Sequence, residues 1–232
     1  MLNVICVKHG TKYNEVHVNK LFNMVKRHLT LPFNFVCFTD NLTKINSNID
    51  VRLLPLDIKL EGWWWKPYIF NKDHFPIEDT NLFFDLDMVI IKNIDKLVTY
   101  KPYNFMGLQD VGRVFGRPDK LGSAVMRWYG YHLNNLWENL KSNPNLTKQY
   151  PGGDQDYIWK FHSKRVNFYP KEWILSYKWE VRTQKDLIRL DNKWIFKNIA
   201  EPKIPEDTCV LAFHGTPNLE DTEDKIIVEN WQ

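Results

Sequence analysis

Within the first sixty residues three short apolar runs, Leu2 to Val7, Phe33 to Phe38 and Val51 to Leu56, alternate with polar connections. Apolar residues at helical spacing (Val16, Val18, Leu21, Phe22, Val25) separate the first two. Runs that are apolar at nearly every position belong to strands buried on both faces, and alternating them with helices builds a parallel, doubly wound sheet. The fold class predicted is therefore α/β. Leu82 to Ile91 supplies the next strand, Asn104 to Leu108 and Leu121 to Trp128 two more, and Val210 to Phe213 the last. Leu133 to Leu140 and Asp154 to Phe161 read as helices, and Gly107 to Gly122 reads as a Gly/Arg/Pro loop. Ligands of such sheets lie beyond the carboxyl ends of the strands, where Lys8 to Tyr13, Thr39-Asp40 and Asp85 to Asp87 fall. No repeat, low-complexity tract or linker interrupts the chain, so a single domain over residues 1–232 is expected.

Composition narrows the class. The 232 residues carry a formal charge of only +3, and 44% are hydrophobic, which is ordinary for a globular chain. Mean hydropathy is −0.45, and no stretch approaches the roughly 18 continuous apolar residues of a membrane span. The start reads as a strand rather than a signal peptide. Cys6, Cys37 and Cys209 lie far apart in apolar runs with no metal-type spacing, which predicts reduced, buried thiols and a cytoplasmic protein. Aromatic residues reach 15%, with 10 Trp, 10 Tyr and 14 Phe. Their flat faces and polar edges suit sugars or bases, or else simply fill the core.

The stretch richest in chemistry is Leu82-Phe83-Phe84-Asp85-Leu86-Asp87-Met88-Val89-Ile90-Ile91, where two carboxylates interrupt an apolar run. Side chains two apart on a strand share a face, so the pair can converge on one hard cation that offsets their desolvation. A turn with solvated aspartates is the plainer alternative. Two chemistries use such a pair. It can hold Mg²⁺ or Mn²⁺ against the diphosphate of a sugar nucleotide. Alternatively Asp85 is itself a nucleophile toward phosphate, since Asp85 to Val89 fits the Asp-x-Asp-x-Thr/Val signature of haloacid-dehalogenase-type phosphatases. That signature normally lies near the N-terminus with Gly after the second Asp. Here it starts at residue 85 with Met88 in that place, which favours the sugar nucleotide.

Taken in order, Lys8-His9-Gly10-Thr11-Lys12-Tyr13, Phe38-Thr39-Asp40, Gly62-Trp63-Trp64-Trp65-Lys66, Asp85-Leu86-Asp87, Gly122-Ser123-Ala124-Val125-Met126, Gly153-Asp154-Gln155-Asp156 and Phe213-His214-Gly215-Thr216-Pro217 resemble a GT-A glycosyltransferase. The set is similar to small bacterial and phage enzymes related to the glycogenin-like family eight. The resemblance implies a Rossmann-like mixed sheet flanked by helices, with a nucleotide-binding half to about residue 100 and a sugar and acceptor half from about residue 101. It implies a metal-dependent transferase moving a sugar from a nucleotide-diphosphate donor, UDP first among them, inside a bacterial or phage-infected cell. The ion, Mn²⁺ or Mg²⁺, falls to Asp85, Asp87 and His214. The donor falls to Lys8, Gly10, Thr11, Tyr13, Asp40, Trp65, Lys66, Asp85 and Ser123, and catalysis to Asp154, Gln155 and Asp156.

Physical alternatives stand beside these roles. Tyr13 can stack on a base, Asp40 can accept from it or cap a turn, and Asp154 can cap its helix. The three tryptophans cannot share one strand face, so at least one should line the cleft or pack under a loop. A lysine that related enzymes carry after the His-Gly pair is replaced by Asn218-Leu219-Glu220, which leaves the phosphate grip to Lys66, Lys8 or Arg113, or else weakens donor binding.

Between Trp159 and Lys203 eleven basic residues face five acidic ones, with Trp173, Tyr177, Trp179 and Trp194 interleaved. Such a segment can receive an anionic acceptor, a phosphorylated glycan or DNA, or can be a solvated basic face. A non-catalytic module binding sugar nucleotide or glycan is the reading from outside the enzyme classes.

Overall fold

A computed structural model of the protein describes residues 1–182, 187–191, 193–196 and 202–232. In chain order its strands and α-helices are β1 (Leu2–Lys8), α1 (Glu15–His28), β2 (Asn34–Thr39), β3 (Asp50–Leu53), β4 (Thr80–Phe84), β5 (Met88–Ile90), α2 (Asp95–Thr99), β6 (Phe105–Gln109), β7 (Leu121–Tyr129), α3 (Asn134–Ser142), α4 (Asp154–His162), β8 (Val166–Phe168), β9 (Ile174–Ser176), β10 (Leu187–Leu190), β11 (Lys193–Phe196), β12 (Val210–Ala212) and α5 (Lys225–Asn230). A sheet of seven strands runs in the order β3-β2-β1-β4-β7-β6-β8. Only β7 is antiparallel to its neighbours, so the sheet is mixed and mostly parallel. A second sheet orders β5-β12-β9, and β10 pairs with β11.

The continuous apolar runs are explained by two cores. Val4 and Cys6 of β1, Phe35 and Cys37 of β2, and Leu82 and Phe84 of β4 face one core together with α1 and the small sheet. Their neighbours Ile5, Val36, Phe38 and Phe83 face the other, formed with α3 and α4. Strict alternation between two dry faces is what makes each strand apolar throughout. Helix α1 begins where Asn14 accepts from the Val16 amide at 3.0 Å, and it ends on Lys26, Arg27 and His28, which suit the negative end of its dipole. All three cysteines are free and buried. Among the described residues no helix is long and apolar enough to cross a membrane.

Four expectations are corrected. Leu82 to Ile91 is two strands, not one: β4 belongs to the large sheet and β5 to the small one, with Asp85 to Asp87 as the turn between. The aspartates thus do not share a strand face. Two carboxylates inside a ladder buried on both sides would be desolvated without partners, and leaving the sheet places them at its edge. Trp63 to Trp65 lie in a 3-10 helix, Gly62–Phe70, so strand alternation does not apply. The third run stops at Leu53, two residues before Pro55, which has no amide hydrogen for a ladder. The Gly107 to Gly122 loop is also shorter than expected, since β6 extends to Gln109 and a 3-10 helix spans Val111–Phe115.

Candidate active site

Both sheets deliver side chains to one region. Strands β1, β2 and β4 are parallel, so Lys8, Thr39-Asp40 and Asp85 all leave the same carboxyl edge. Strand β7 enters from that edge, and the Asp85 amide donates to the Ala124 carbonyl at 2.8 Å, which brings Ser123 beside Asp85. In the small sheet β12 is antiparallel to β5 and parallel to β9. The residue before β5 (Asp87), the last of β9 (Ser176) and the second after β12 (His214) therefore meet at one end. A cavity of about 320 Å³ there is lined by Asp85, Asp87, Ser123, Asp154, Gln155 and His214, with Trp63, Lys66, Asp110, Arg113, Ser176 and Glu180. A second, of about 250 Å³, lies on the β1 side. It shares Trp63, Lys66, Asp85 and Asp87 with the first and adds His9, Lys12 and Tyr13.

Lys66 is the hub. Its ammonium lies 3.0 Å from both Asp85 oxygens, 3.0 Å from the Ser123 hydroxyl and 3.2 Å from Asp154 Oδ2. Burial alone would lower the Lys66 pKa, but Asp154 and Asp85 outweigh it and hold the ammonium above the ordinary lysine range. Asp85 is pushed up to about 7 by burial, against the pull of Lys66 and with added repulsion from Asp87 and Asp154. Asp154 Oδ2 has the ion pair but no aligned hydrogen-bond donor among the described residues. Asp154 opens α4 without capping it; the cap position is Gly153, which makes no side-chain bond.

Tyr13 donates its hydroxyl to Asp87 Oδ2 at 2.8 Å, and Asp87 too is raised, chiefly by burial. His214 Nε2 lies 2.5 Å from the Ser176 hydroxyl. Burial and the nearby Lys178 lower His214 to about 4, so its imidazole is neutral and keeps a lone pair. Two carboxylates and a neutral imidazole are a suitable donor set for Mn²⁺, less so for Mg²⁺, which prefers oxygen alone. The three ring one cavity, but among the described residues no three acidic, imidazole or thiol groups stand close enough to form a ready-made ion site.

Other expected site residues are placed differently. Lys8 and the Gly10 amide both bind Asp40, at 3.3 and 2.8 Å, so Asp40 ties down the loop after β1. Lys8, Gly10, Thr11 and Asp40 lie outside the lining of the two cavities. Trp65 is buried and donates to the Leu60 carbonyl, whereas the exposed Trp63 lines both cavities. The carboxylate of Asp156 pairs with Lys120, outside the main cavity. The three cations expected to grip phosphate each have a carboxylate: Lys8 has Asp40, Lys66 has Asp85 and Asp154, and Arg113 has Glu180 through a two-point contact at 2.9 and 2.7 Å.

In the basic segment Lys178 is buried against the His214 and Thr216 carbonyls and Arg182 against Asp224. Lys160, Lys164, Arg165, Lys171, Arg189 and Lys203 are exposed, and Lys185 and Lys197, with Asp186 and Glu201, lie outside the described residues.

Sequence reasoning missed Asp110, Ser176 and Glu180, isolated polar residues that no motif marks. It also missed why Gly153 is glycine. That residue has φ 82° and ψ −158°, a region almost closed to other residues, and a Cβ there would lie 2.8 Å from Trp63 Nε1. Gly153→Ala is expected to cost about 1–3 kcal/mol and to displace Trp63. Urea unfolding and the Trp fluorescence maximum will report both, and unchanged values in the two assays would refute the packing argument.

No family model matches the chain, and no curated protein does. By structure the chain is similar to the galactosyltransferase LgtC in complex with donor and acceptor sugar analogs, with TM-score 0.63 and 10% identity over 99% of this chain and 95% of LgtC. It is also similar to the bifunctional glycosyltransferase WbbM in its apo form, with TM-score 0.66 and 13% identity over 99% of this chain and 49% of WbbM. A third likeness is to the apo form of the glycosyltransferase GlyE of Streptococcus pneumoniae, with TM-score 0.62 and 12% identity over 99% of this chain and 59% of GlyE. The fold is thus the GT-A glycosyltransferase fold that the sequence motifs resemble.

Proposed function

We propose that the protein is a divalent-metal-dependent glycosyltransferase that takes its sugar from a nucleotide-diphosphate donor, UDP foremost, and passes it to a glycan. The observation that carries this is the pair of cavities meeting at Asp85, Asp87, Lys66 and Trp63, at the carboxyl edge where ligands of such sheets bind. The chamber beside Tyr13 suits the nucleoside and the chamber beside Asp154 and Gln155 suits the sugar. Asp85, Asp87 and His214 would hold the ion, which when bound supplies positive charge to stabilise the departing diphosphate.

The chain's own residues do the positioning. Tyr13 orients Asp87, and Ser176 orients His214. Lys66, fixed by two carboxylates, presents an ammonium to donor oxygens without having to be ordered first. Asp154 and Gln155 line the sugar-side cavity, with Asp154 held against Lys66. The phosphatase alternative is not favoured, because the structural likenesses are to glycosyltransferases. Calorimetry with UDP, GDP and CDP, with and without Mn²⁺, tests the proposal. Binding of one nucleotide only with the ion is expected. No binding of any of them defeats the reading, and binding without transfer or slow donor hydrolysis would leave a binding module instead.

A further inference from the structure

We infer that the acceptor is an uncharged sugar seated between the exposed indole of Trp63 and the carboxylate of Asp110, and that phosphorylated, uronate-bearing or nucleic-acid acceptors are excluded by charge. This rests on the transferase reading above and names its acceptor class. Among the described residues the main cavity is lined by five carboxylates, Asp85, Asp87, Asp110, Asp154 and Glu180, against two cations, Lys66 and Arg113. Both cations are already paired within the site. A divalent ion and the diphosphate of a donor bring nearly equal and opposite charge, so loading the site leaves the carboxylates in excess. An anionic acceptor would meet like charge in a confined, poorly screened space.

Asp110 is the carboxylate that gives this excess a location. It follows β6, and its Oδ1 accepts from the Gly112 amide at 2.8 Å while Oδ2 lies 3.5 Å from the Gln155 amide. Among the described residues it has no cation within ion-pair distance. A Cβ on Gly112 would lie 2.7 Å from Oδ1, so the glycine lets the carboxylate fold back and stay fixed. A fixed carboxylate with free lone pairs accepts hydrogen bonds from sugar hydroxyls. Trp63 is 61% exposed, and its Nε1 edge rests over Gly153, which orients the ring. Its free face suits the C–H face of a pyranose. Among the described residues, the exposed lysines and arginines of the 159–203 segment do not line this cavity, which runs against the anionic acceptor expected from their number.

The test uses the full chain with Mn²⁺. Hydrolysis of UDP-, GDP- and CDP-sugars is measured first, because its failure with all donors removes the transferase reading and this inference with it. With the active donor, methyl β-glucoside and methyl β-galactoside are compared with their 6-phosphates, and methyl glucoside with methyl glucuronide. Saturation-transfer NMR on donor-loaded protein gives the same comparison for glycosides that bind without reacting. Neutral members should exceed their charged partners at least tenfold in kcat/KM or occupancy. Asp110→Asn, which keeps the Gly112 contact, should shrink that ratio severalfold, whereas Trp63→Ala should weaken both members alike. Equal or better use of the charged partners, or a ratio unmoved by Asp110→Asn, overturns the inference while donor hydrolysis stands.

Discussion

Asp87→Ala should abolish Mn²⁺-dependent nucleotide binding and slow sugar transfer or donor hydrolysis about a thousandfold, roughly 4 kcal/mol of lost charge stabilisation. The fold should survive. The side chain's structural partner is the Tyr13 hydroxyl, and the bond from the Phe213 amide goes to the Asp87 backbone carbonyl, which alanine keeps. Burial already raises this carboxyl above its ordinary range, so its removal relieves a desolvated charge in the ion-free protein. Calorimetry with Mn²⁺ and UDP, paired with thermal denaturation, separates the two effects. Chelating the ion from the wild-type protein should reproduce the binding loss. A variant that binds nucleotide as tightly as wild type would show that the pair does not hold a cation.

Lys66→Met should destabilise the ion-free protein by about 3–5 kcal/mol, the cost of breaking a buried ion pair from one side. Methionine fills much of the same volume but leaves Asp85 and Asp154 facing each other without a cation. Adding Asp154→Asn should restore part of the loss, since one of the two uncompensated carboxylates is then neutral. Urea unfolding at pH 7.5 is the measurement. A change within about 0.5 kcal/mol, the range of ordinary surface substitutions, would mean that the ammonium is solvated and not the hub described here.

The strands and helices that frame the site were legible because each is buried on both sides or amphipathic at 3.6-residue spacing. β1, α1, β2, β6, β7, α3, α4 and β12 lie close to their expected places. The break at Asp85 was not legible. Phe83, Phe84, Met88, Val89 and Ile90 are all buried, so an apolar run gives no sign that the chain changes sheets midway. Residue types lining the candidate site were readable where a motif grouped them, as with Asp85-Leu86-Asp87 and Asp154-Gln155. Their partners were not. The engagement of Lys66 by Asp85 and Asp154, of Arg113 by Glu180 and of Lys8 by Asp40 depends on strand order, which local pattern does not encode. For the same reason the basic count between residues 159 and 203 overstates the exposed charge, since Lys178 and Arg182 are buried.

The small sheet has a consequence for how the protein matures. Its three strands come from residues 88–90, 174–176 and 210–212, and the strand that leads into His214 is both the last and the central one. A ribosome releases the whole of the seven-stranded sheet before that strand can pair. The nascent chain thus acquires its large sheet early and closes the small sheet, and with it the wall of the cavity that bears His214, last.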